Sequence, residues 1–238
     1  MSRANPRAAC LEVLARWEQS FQFADEILHA TFDATRFAPL DRALLTELFY
    51  GIIRHRQSLD FVIAQLREGE IDIATRHVLQ LGLYQILHMR VPRHAAVNET
   101  VQLAGRARGL VNAILRRSIR EENALRRRLA AAPMDVRFSH PQFLVERWRA
   151  NFGEAATERL CAWNNEPAQV FARANELKVT RGELLRTADA EPLETHPLML
   201  RVKQIPMDWI MHGLCYMQDP STLAACELLD PQAGERVL

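Results

Sequence analysis

The stretch LQLGLYQILHMRVPRHAAVNETVQLA, residues 79–104, decides the fold class of this chain. Apolar side chains recur at helical spacing before the proline, along a face formed by Val78, Leu81 and either Gln85 or Ile86. Pro92 ends this helix, because proline lacks a backbone N–H and clashes with the preceding turn. A further helix begins near His94. The stretch therefore predicts consecutive helices, and it lacks the β-branched alternation of a strand.

The helical pattern extends on both sides of this stretch. Asn5 and Pro6 predict a helix start, with Asn as the capping residue and Pro in the first turn. Apolar residues then follow at helical spacing at Leu11, Leu14 and Trp17. Asp41 is expected to cap another helix, and Ser58 is expected to open the next one. Residues 1–132 are therefore predicted to form an all-α bundle of roughly six or seven helices.

The sequence changes character beyond this bundle. The segment AAPMDVRFSHPQF has two prolines and no helical period, which predicts a surface linker at residues 133–142. Helical and strand-like patterns then predict a small α+β unit at residues 143–205. The chain closes with LLDPQAGERVL, in which a turn precedes Val237 and Leu238. These two residues are typical of the first step of a buried strand, so residues 206–238 are expected to be the truncated start of a further domain.

The formal net charge of +1 hides an uneven distribution of charge. Residues 1–132 hold 19 arginines against 14 acidic residues, whereas residues 133–238 hold 11 basic against 15 acidic residues. A basic N-terminal part indicates an anionic partner there. Arginine suits bidentate contacts with phosphate, although a GC-rich genome would produce the same preference for arginine over lysine.

Arginine is densest between residues 106 and 128, where eight arginines accompany only two acidic residues. A solvated helix face explains some of these side chains, but the density also suits a surface that binds a phosphate backbone. The predicted contacts of this part, including two near the N-terminus, are Arg3, Arg7, Arg106, Arg108, Arg116, Arg117 and Arg120. Aromatic residues are sparse in the segment, so stacking of unpaired bases is not expected there.

Other residues that often carry chemistry form no complete site. His94, Asn98 and Glu99 lie within about one helical turn, where a polar cluster that satisfies free amides is the more common role. Neither H-E-x-x-H nor paired cysteines occur, so no metal is predicted. Four isolated cysteines are typical of reduced thiols, and no apolar run approaches transmembrane length. We expect a monomeric, cytoplasmic protein that does not contact a membrane.

Six blocks of sequence resemble a known family. DRALLTELFYGIIRHRQSLDFVI, LQLGLYQILHMRVPRHAAVNETVQLA and GLVNAILR are similar, in order and spacing, to the NusB-like helical RNA-binding domain. That domain occurs alone, as a transcription antitermination factor, and at the front of the Sun (Fmu, RsmB) ribosomal RNA cytosine methyltransferases. SHPQFLVERWRANFG, WNNEPAQVFARAN and YMQDPSTLAACELLDPQAGERVL resemble the connecting region and the start of the methyltransferase region of the Sun family.

The resemblance implies an activity that lies largely outside this chain. The family uses S-adenosylmethionine to methylate carbon-5 of a cytosine in small-subunit ribosomal RNA. Its Gly-rich cofactor turn and its two catalytic cysteines would follow Leu238, so this chain is expected to bind no cofactor and to be inactive alone. None of Cys10, Cys161, Cys215 and Cys226 matches the catalytic cysteines, and no catalytic residue is assigned.

The resemblance also implies positions that lie near RNA or near the active site. Arg173 and Asn175 match a family pattern and are expected to touch RNA. A segment that packs near the family's active site matches Gln218, Asp219, Ser221 and Thr222. Their alternative role is a helix N-terminus with Asp219 or Ser221 as the cap.

The predicted fold is mainly α, with a NusB-like bundle, a small α+β region and the start of a Rossmann-like domain. Two other functions are alternatives to the methyltransferase hypothesis. A non-enzymatic NusB-type antitermination factor is disfavoured by residues 134–238, because the isolated factor lacks such an extension. A helical scaffold without a role in RNA binding would be favoured if the arginines of residues 106–128 were buried or ion-paired within the chain.

Overall fold

The computed structural model describes residues 4–187, 189–232 and 234–237. The chain divides into two compact units, residues 1–165 and residues 166–238. The first unit is helical, and a short 3-10 turn at Gly105–Ala107 separates its sixth and seventh helices. Its helices are α1 (Pro6–Gln19), α2 (Ala24–Ala34), α3 (Pro39–Arg54), α4 (Arg56–Leu66), α5 (Ile73–Leu87), α6 (Arg93–Gln102), α7 (Arg108–Arg120), α8 (Glu122–Ala130), α9 (Met134–Phe138), α10 (Gln142–Phe152) and α11 (Glu154–Asn164).

Helix α5 forms the centre of the first unit. Every residue from His77 to Ile86 is buried, and α1, α3, α4, α6 and α7 pack around this helix. A helix that is buried around its whole circumference belongs inside a bundle. At Gly82 an added Cβ atom would lie 2.6 Å from a methyl group of Leu115, so the glycine permits the close approach of α7. Helices α6 and α7 thus both pack on α5 and contact each other.

Most predicted helices are present, but some of their ends and faces differ from the predictions. Helix α1 buries Pro6, Cys10, Val13 and Leu14, whereas Leu11 and Trp17 are only partly buried. Asp41 does not cap α3, because Pro39 occupies the first helical position and begins the helix earlier. Ser58 lies inside α4, where its hydroxyl donates to the carbonyl of His55 at 2.8 Å.

The segment predicted as a linker, residues 133–142, contains helix α9. This helix packs against α4 and α8, and Met134 at its start is buried. The backbone N–H of Ser58 donates to the hydroxyl oxygen of Ser139 at 2.9 Å. Helices α10 and α11 pack on each other and on α9, so the first unit includes residues that the sequence assigned to the second domain.

The second unit is a small antiparallel sheet with short helices. Its four strands lie in the order β2-β3-β1-β4, and one face packs on Leu184 and Trp209. Val237, predicted to begin a buried strand, is 50% exposed and lies outside any strand. Leu238 lies outside the described residues. The elements are β1 (Val170–Ala174), α12 (Arg181–Thr187), β2 (Ala190–Pro192), β3 (Met199–Val202), α13 (Met207–Met211), β4 (Cys215–Met217), a 3-10 turn (Pro220–Thr222) and α14 (Leu223–Leu229).

Candidate nucleic-acid interface

Helices α6 and α7 form an open groove on the first unit, with a cavity of about 430 Å³. The partly apolar floor comes from Val97 and Ile119, and polar side chains line both walls. His94 and Asn98 stand on α6, and Arg116 and Arg120 stand on α7. We refer to these six residues as the α6–α7 groove. The groove therefore contains apolar side chains, hydrogen-bonding side chains and positive charge.

The sequence of α7 explains why its arginines face outwards. Its buried residues recur at helical spacing and turn one face of the helix towards the core: Val111, Ile114, Leu115 and Ser118. Arg116 and Arg120 lie on the exposed side, four residues apart. The side chain of Arg116 donates to the amide oxygen of Asn112 at 2.9 Å. Neither arginine forms an ion pair with any residue that the structure describes.

Two further arginines lie at the other end of α7. Arg106 stands on the 3-10 turn before the helix and is exposed. Arg108, the first residue of α7, is also exposed and donates to the carbonyl of Gln102 at 3.4 Å. Since α7 rises by about 1.5 Å per residue, Arg108 and Arg120 lie about 18 Å apart along the helix axis. Free positive charge therefore follows the length of the helix.

Arg117 and Arg126 differ from these residues, because each holds the bundle together. The guanidinium of Arg117 donates to the carbonyl of Leu66 at 2.8 Å and to Glu121 at 2.7 Å. Arg126 pairs with Glu122 at 3.0 Å and donates to the carbonyl of Leu87, also at 3.0 Å. The predicted contact Arg117 thus has internal partners that an RNA phosphate would have to displace.

Of the two arginines near the N-terminus that were predicted to contact RNA, the structure describes only Arg7. Arg3 lies outside the described residues. Arg7 donates from Nε to the side-chain oxygen of Gln85 at 2.8 Å. Gln85 is fully buried and donates in turn to the hydroxyl of Thr100 at 3.2 Å. Arg7 therefore belongs to a polar chain that links α1, α5 and α6.

In the second unit, Asn175 stabilises a turn. Its side chain donates to the carbonyl of Gly213 at 2.9 Å and accepts from the backbone N–H of Leu177 at 3.3 Å. Arg173 lies on β1 and donates from Nε to Gln218 at 2.7 Å. The side-chain nitrogen of Gln218 donates to the hydroxyl of Thr222 at 2.8 Å.

Asp219 caps the 3-10 turn at Pro220–Thr222, which is the alternative role predicted for it from the sequence. Its carboxylate accepts from the backbone N–H of Ser221 at 2.8 Å and from the hydroxyl of the same residue at 2.6 Å. These hydrogen bonds lower the pKa of Asp219 from its ordinary value. The four residues at 218–222 thus form one hydrogen-bonded turn after β4.

Sequence reasoning did not assign His94 and Asn98 to a site. Their spacing of four residues placed them on one helix face, but nothing in the sequence placed that face beside α7. Metal binding has no support in the part of the chain that the structure describes, where no three His, Cys, Asp or Glu side chains form a group. No helix of the same ranges is both long and apolar enough to span a bilayer.

Comparison with known proteins identifies two family matches, the second of which begins within the first compact unit. Residues 4–120 match the NusB family, and residues 140–204 match the "Methyltr_RsmF/B-like, ferredoxin-like domain". A probable ribosomal RNA small subunit methyltransferase B of Bacillus subtilis is 27% identical, over 100% of this chain and 57% of that protein. Its counterpart in Synechocystis is 32% identical, over 90% of this chain and 53% of that protein. The chain belongs to the Sun (RsmB) family.

The match covers the N-terminal part of Sun family proteins. The Serratia proteamaculans member is 32% identical, with 83% of this chain and 49% of that protein aligned. The chain thus spans about half the length of the curated relatives it matches. The crystal structure of PH0851 is similar with a TM-score of 0.59 at 18% identity, over 99% of this chain and 57% of that chain. At this identity the likeness shows the fold alone.

Proposed function

We propose that this chain is the RNA-recognising N-terminal part of an S-adenosylmethionine-dependent methyltransferase that modifies carbon-5 of a cytosine in small-subunit ribosomal RNA. The observation that supports RNA binding most strongly is the α6–α7 groove with its unpaired guanidinium groups. Arginines that stabilise a fold have internal partners, as Arg117 and Arg126 do. Exposed arginines without carboxylate partners suit an external polyanion, and guanidinium groups bind phosphate oxygens in a bidentate manner.

The groove offers different contacts to different parts of an RNA strand. Arg116 and Arg120 supply positive charge for phosphates. His94 and Asn98 supply hydrogen-bonding groups that suit a ribose 2′-hydroxyl or a base edge. Ile119 contributes apolar surface to the floor. This combination favours a nucleic acid over a simple anion, for which the cations alone would suffice.

A NusB-type antitermination factor without enzymatic activity is the second candidate. The helical unit alone would suit either protein. The match of residues 140–204 to a methyltransferase-associated domain favours the methyltransferase. Interaction with small-subunit ribosomal RNA, a cytoplasmic location and a monomeric state belong to this proposal.

The chemistry of methyl transfer needs a thiolate that adds to carbon-6 of the cytosine and a bound sulfonium donor. Cys10, Cys161 and Cys215 are buried, and burial raises the pKa of all three thiols. All strand pairs in the described sheet are antiparallel, so these residues do not form the parallel strand and Gly-rich turn that hold such a donor. We therefore derive no catalytic step from this chain.

RNA binding can be tested by reversing charge in the groove. In the full chain, Arg116→Glu combined with Arg120→Glu should weaken binding of a small-subunit ribosomal RNA hairpin about tenfold or more. Loss of two phosphate contacts should also reduce the slope of log affinity against log salt by roughly 1.5. Fluorescence anisotropy at several salt concentrations measures both quantities.

Charge reversal on two other helices of the same unit provides the control. Arg147→Glu combined with Arg159→Glu makes the same change in net charge at exposed positions of α10 and α11. This control should retain the salt slope of the wild type. Equal effects of the two double variants would refute the assignment of the groove, because they would show that only net charge matters.

The expected inactivity of the isolated chain has its own test. The 238-residue chain should show no S-adenosylmethionine binding by calorimetry and should transfer no radiolabelled methyl group to naked small-subunit ribosomal RNA. Methyl transfer that is lost on Cys226→Ser would contradict this expectation and would make the exposed Cys226 the nucleophile.

A further inference from the structure

The sheet of the second unit has two unlike faces. Side chains of successive residues in a strand point to opposite faces. In β1, Ala172 and Ala174 point to the face that Leu184 and Trp209 cover. Phe171 and Arg173 therefore point to the other face, and Phe171 does not belong to the apolar cluster beneath the helices.

The pairing of β1 with β4 places an aromatic ring beside Arg173. Arg173 lies opposite Tyr216 in the antiparallel register, so the two side chains share the face that points away from Leu184 and Trp209. Tyr216 is 51% exposed. Met199, the neighbour of Arg173 on β3, is fully buried, so the accessible part of this face lies on the β1–β4 side. We name Phe171, Arg173, Tyr216 and Gln218 the β1–β4 face.

Hydrogen bonds hold the guanidinium of Arg173 in position over the tyrosine. Its central carbon lies 5.2 Å from the centre of the Tyr216 ring. Its Nε group donates to Gln218, which is itself held by Thr222. Across the ranges that the structure describes, no carboxylate forms an ion pair with Arg173. The guanidinium is therefore fixed in place, and no described carboxylate neutralises its charge.

A half-exposed aromatic ring beside a fixed, unneutralised cation has the chemistry of a site for unpaired nucleotides. Bases stack on aromatic side chains whatever their sequence, and arginine adds attraction for phosphate and for the base. An antiparallel sheet with helices on one face and aromatic residues on the other is a common platform for single-stranded RNA. Phe171 lies diagonally from Tyr216 and offers a second ring on the same face.

We propose that the β1–β4 face binds unpaired nucleotides of RNA, with one base stacked on Tyr216 and its phosphodiester close to Arg173. This inference rests on the proposed function, because it concerns the same RNA. It assigns to the second unit a stacking contact with unpaired bases, in addition to the contacts of the α6–α7 groove.

The test uses the full chain and a single-stranded RNA of about eight nucleotides that carries one 2-aminopurine, whose fluorescence falls when it stacks. Tyr216→Ala should weaken binding about tenfold and abolish the quenching, because one stacked base is lost. Tyr216→Phe retains the ring and should bind within about twofold of the wild type. Arg173→Gln should reduce the salt slope by about 0.7, which corresponds to one phosphate contact.

The results separate this inference from the proposed function. Wild-type affinity and quenching in Tyr216→Ala would overturn the stacking site, as would a wild-type chain that binds the ribosomal hairpin but not the short single strand. A wild-type chain that binds neither RNA overturns both proposals. Loss of single-strand binding in Tyr216→Ala, with hairpin binding retained, supports the two surfaces as separate sites.

Discussion

At the scale of single residues, Gly51 permits a close contact between α3 and α5. A Cβ atom added there would lie 2.0 Å from Cζ of Tyr84, whose hydroxyl donates to Glu47 at 2.7 Å. Gly51→Ala must displace the ring and disturb this hydrogen bond. We expect the free energy of unfolding to fall by about 1–3 kcal/mol, measured by urea denaturation.

Gly109→Ala is the matched control for this prediction. Gly109 also lies in a helix, but an added Cβ atom would meet no atom within 4 Å. Since alanine is the better helix former, this variant should be neutral or more stable by up to about 1 kcal/mol. If both variants had the same stability, the contact between Gly51 and Tyr84 would not constrain the fold.

His55 gives the first unit a predicted dependence on pH. Its ring stacks on His88 with 4.1 Å between ring centres, and burial lowers the pKa of His55 from 6.5 to about 4. Arg54 also lowers this pKa, whereas Glu47 raises it. The unfolded state therefore binds more protons between these two values. The contribution of His55 to the free energy of unfolding should be fully present above about pH 6.5, and it should decrease as the pH falls towards 4.

Urea denaturation at about pH 7.5 and about pH 5.5 tests this dependence. His55→Phe keeps an aromatic ring but cannot titrate, so its stability should change less between the two conditions. The difference between the two proteins is the informative quantity, because it cancels titrating groups that do not interact with His55 and leaves His55 with its stacked neighbour His88. Equal pH dependence in both proteins would show that His55 titrates normally in the folded state.

At the scale of secondary structure elements, the start of α5 depends on one side chain. The carboxylate of Asp72 accepts from the backbone N–H of Thr75 at 2.9 Å and from its hydroxyl at 2.7 Å. Asp72→Ala removes this cap and should lower the free energy of unfolding by about 1 kcal/mol in urea denaturation. Asp72→Asn keeps a side-chain acceptor and should lose less. Equal losses in both variants would assign the effect to charge instead.

Arg117 shows which part of the basic segment the sequence could predict. The density of arginine predicted a cationic surface, and the spacing of the buried residues on α7 explains why Arg116 and Arg120 are exposed. The partner of Arg117 is the carbonyl of Leu66, at the end of a helix 51 residues earlier in the chain. Such a partner depends on how α4 and α7 pack, and local sequence patterns do not contain this information.

The two neighbouring arginines should therefore respond differently to substitution. Arg117→Ala removes the links to Leu66 and Glu121 and should lower the thermal midpoint, with little change in RNA affinity. Arg116→Ala should leave the midpoint unchanged and weaken RNA binding, because among the described residues its side chain bonds to Asn112 on the same helix and to no other element. Differential scanning fluorimetry and anisotropy measure the two quantities. The reverse pattern would place the phosphate contact at Arg117.

At the scale of the whole molecule, tertiary contacts place residues 133–165 with the first unit, whereas the predicted boundaries and the family match at residues 140–204 place most of them with the second. Capping residues and apolar spacing are local, so α1 and the helices around α5 could be anticipated. The position of α9 is not local. Two prolines and the absence of a helical period suggested a linker, but Ser139 accepts from Ser58, 81 residues away. The sequence does not show that this segment supplies a hydrogen-bond acceptor to the first turn of α4.

Fragments of the chain test whether residues 133–165 belong to the first unit. Residues 1–132, the predicted domain, lack α9 and leave the backbone N–H of Ser58 without its acceptor. We expect this fragment to be about 1–3 kcal/mol less stable than residues 1–165 in urea denaturation, because it loses one hydrogen bond and apolar contact with α4 and α8. In the longer fragment, Ser139→Ala should cost about 1 kcal/mol and isolate the hydrogen bond. Equal midpoints for the two fragments would show that the bundle is complete at residue 132.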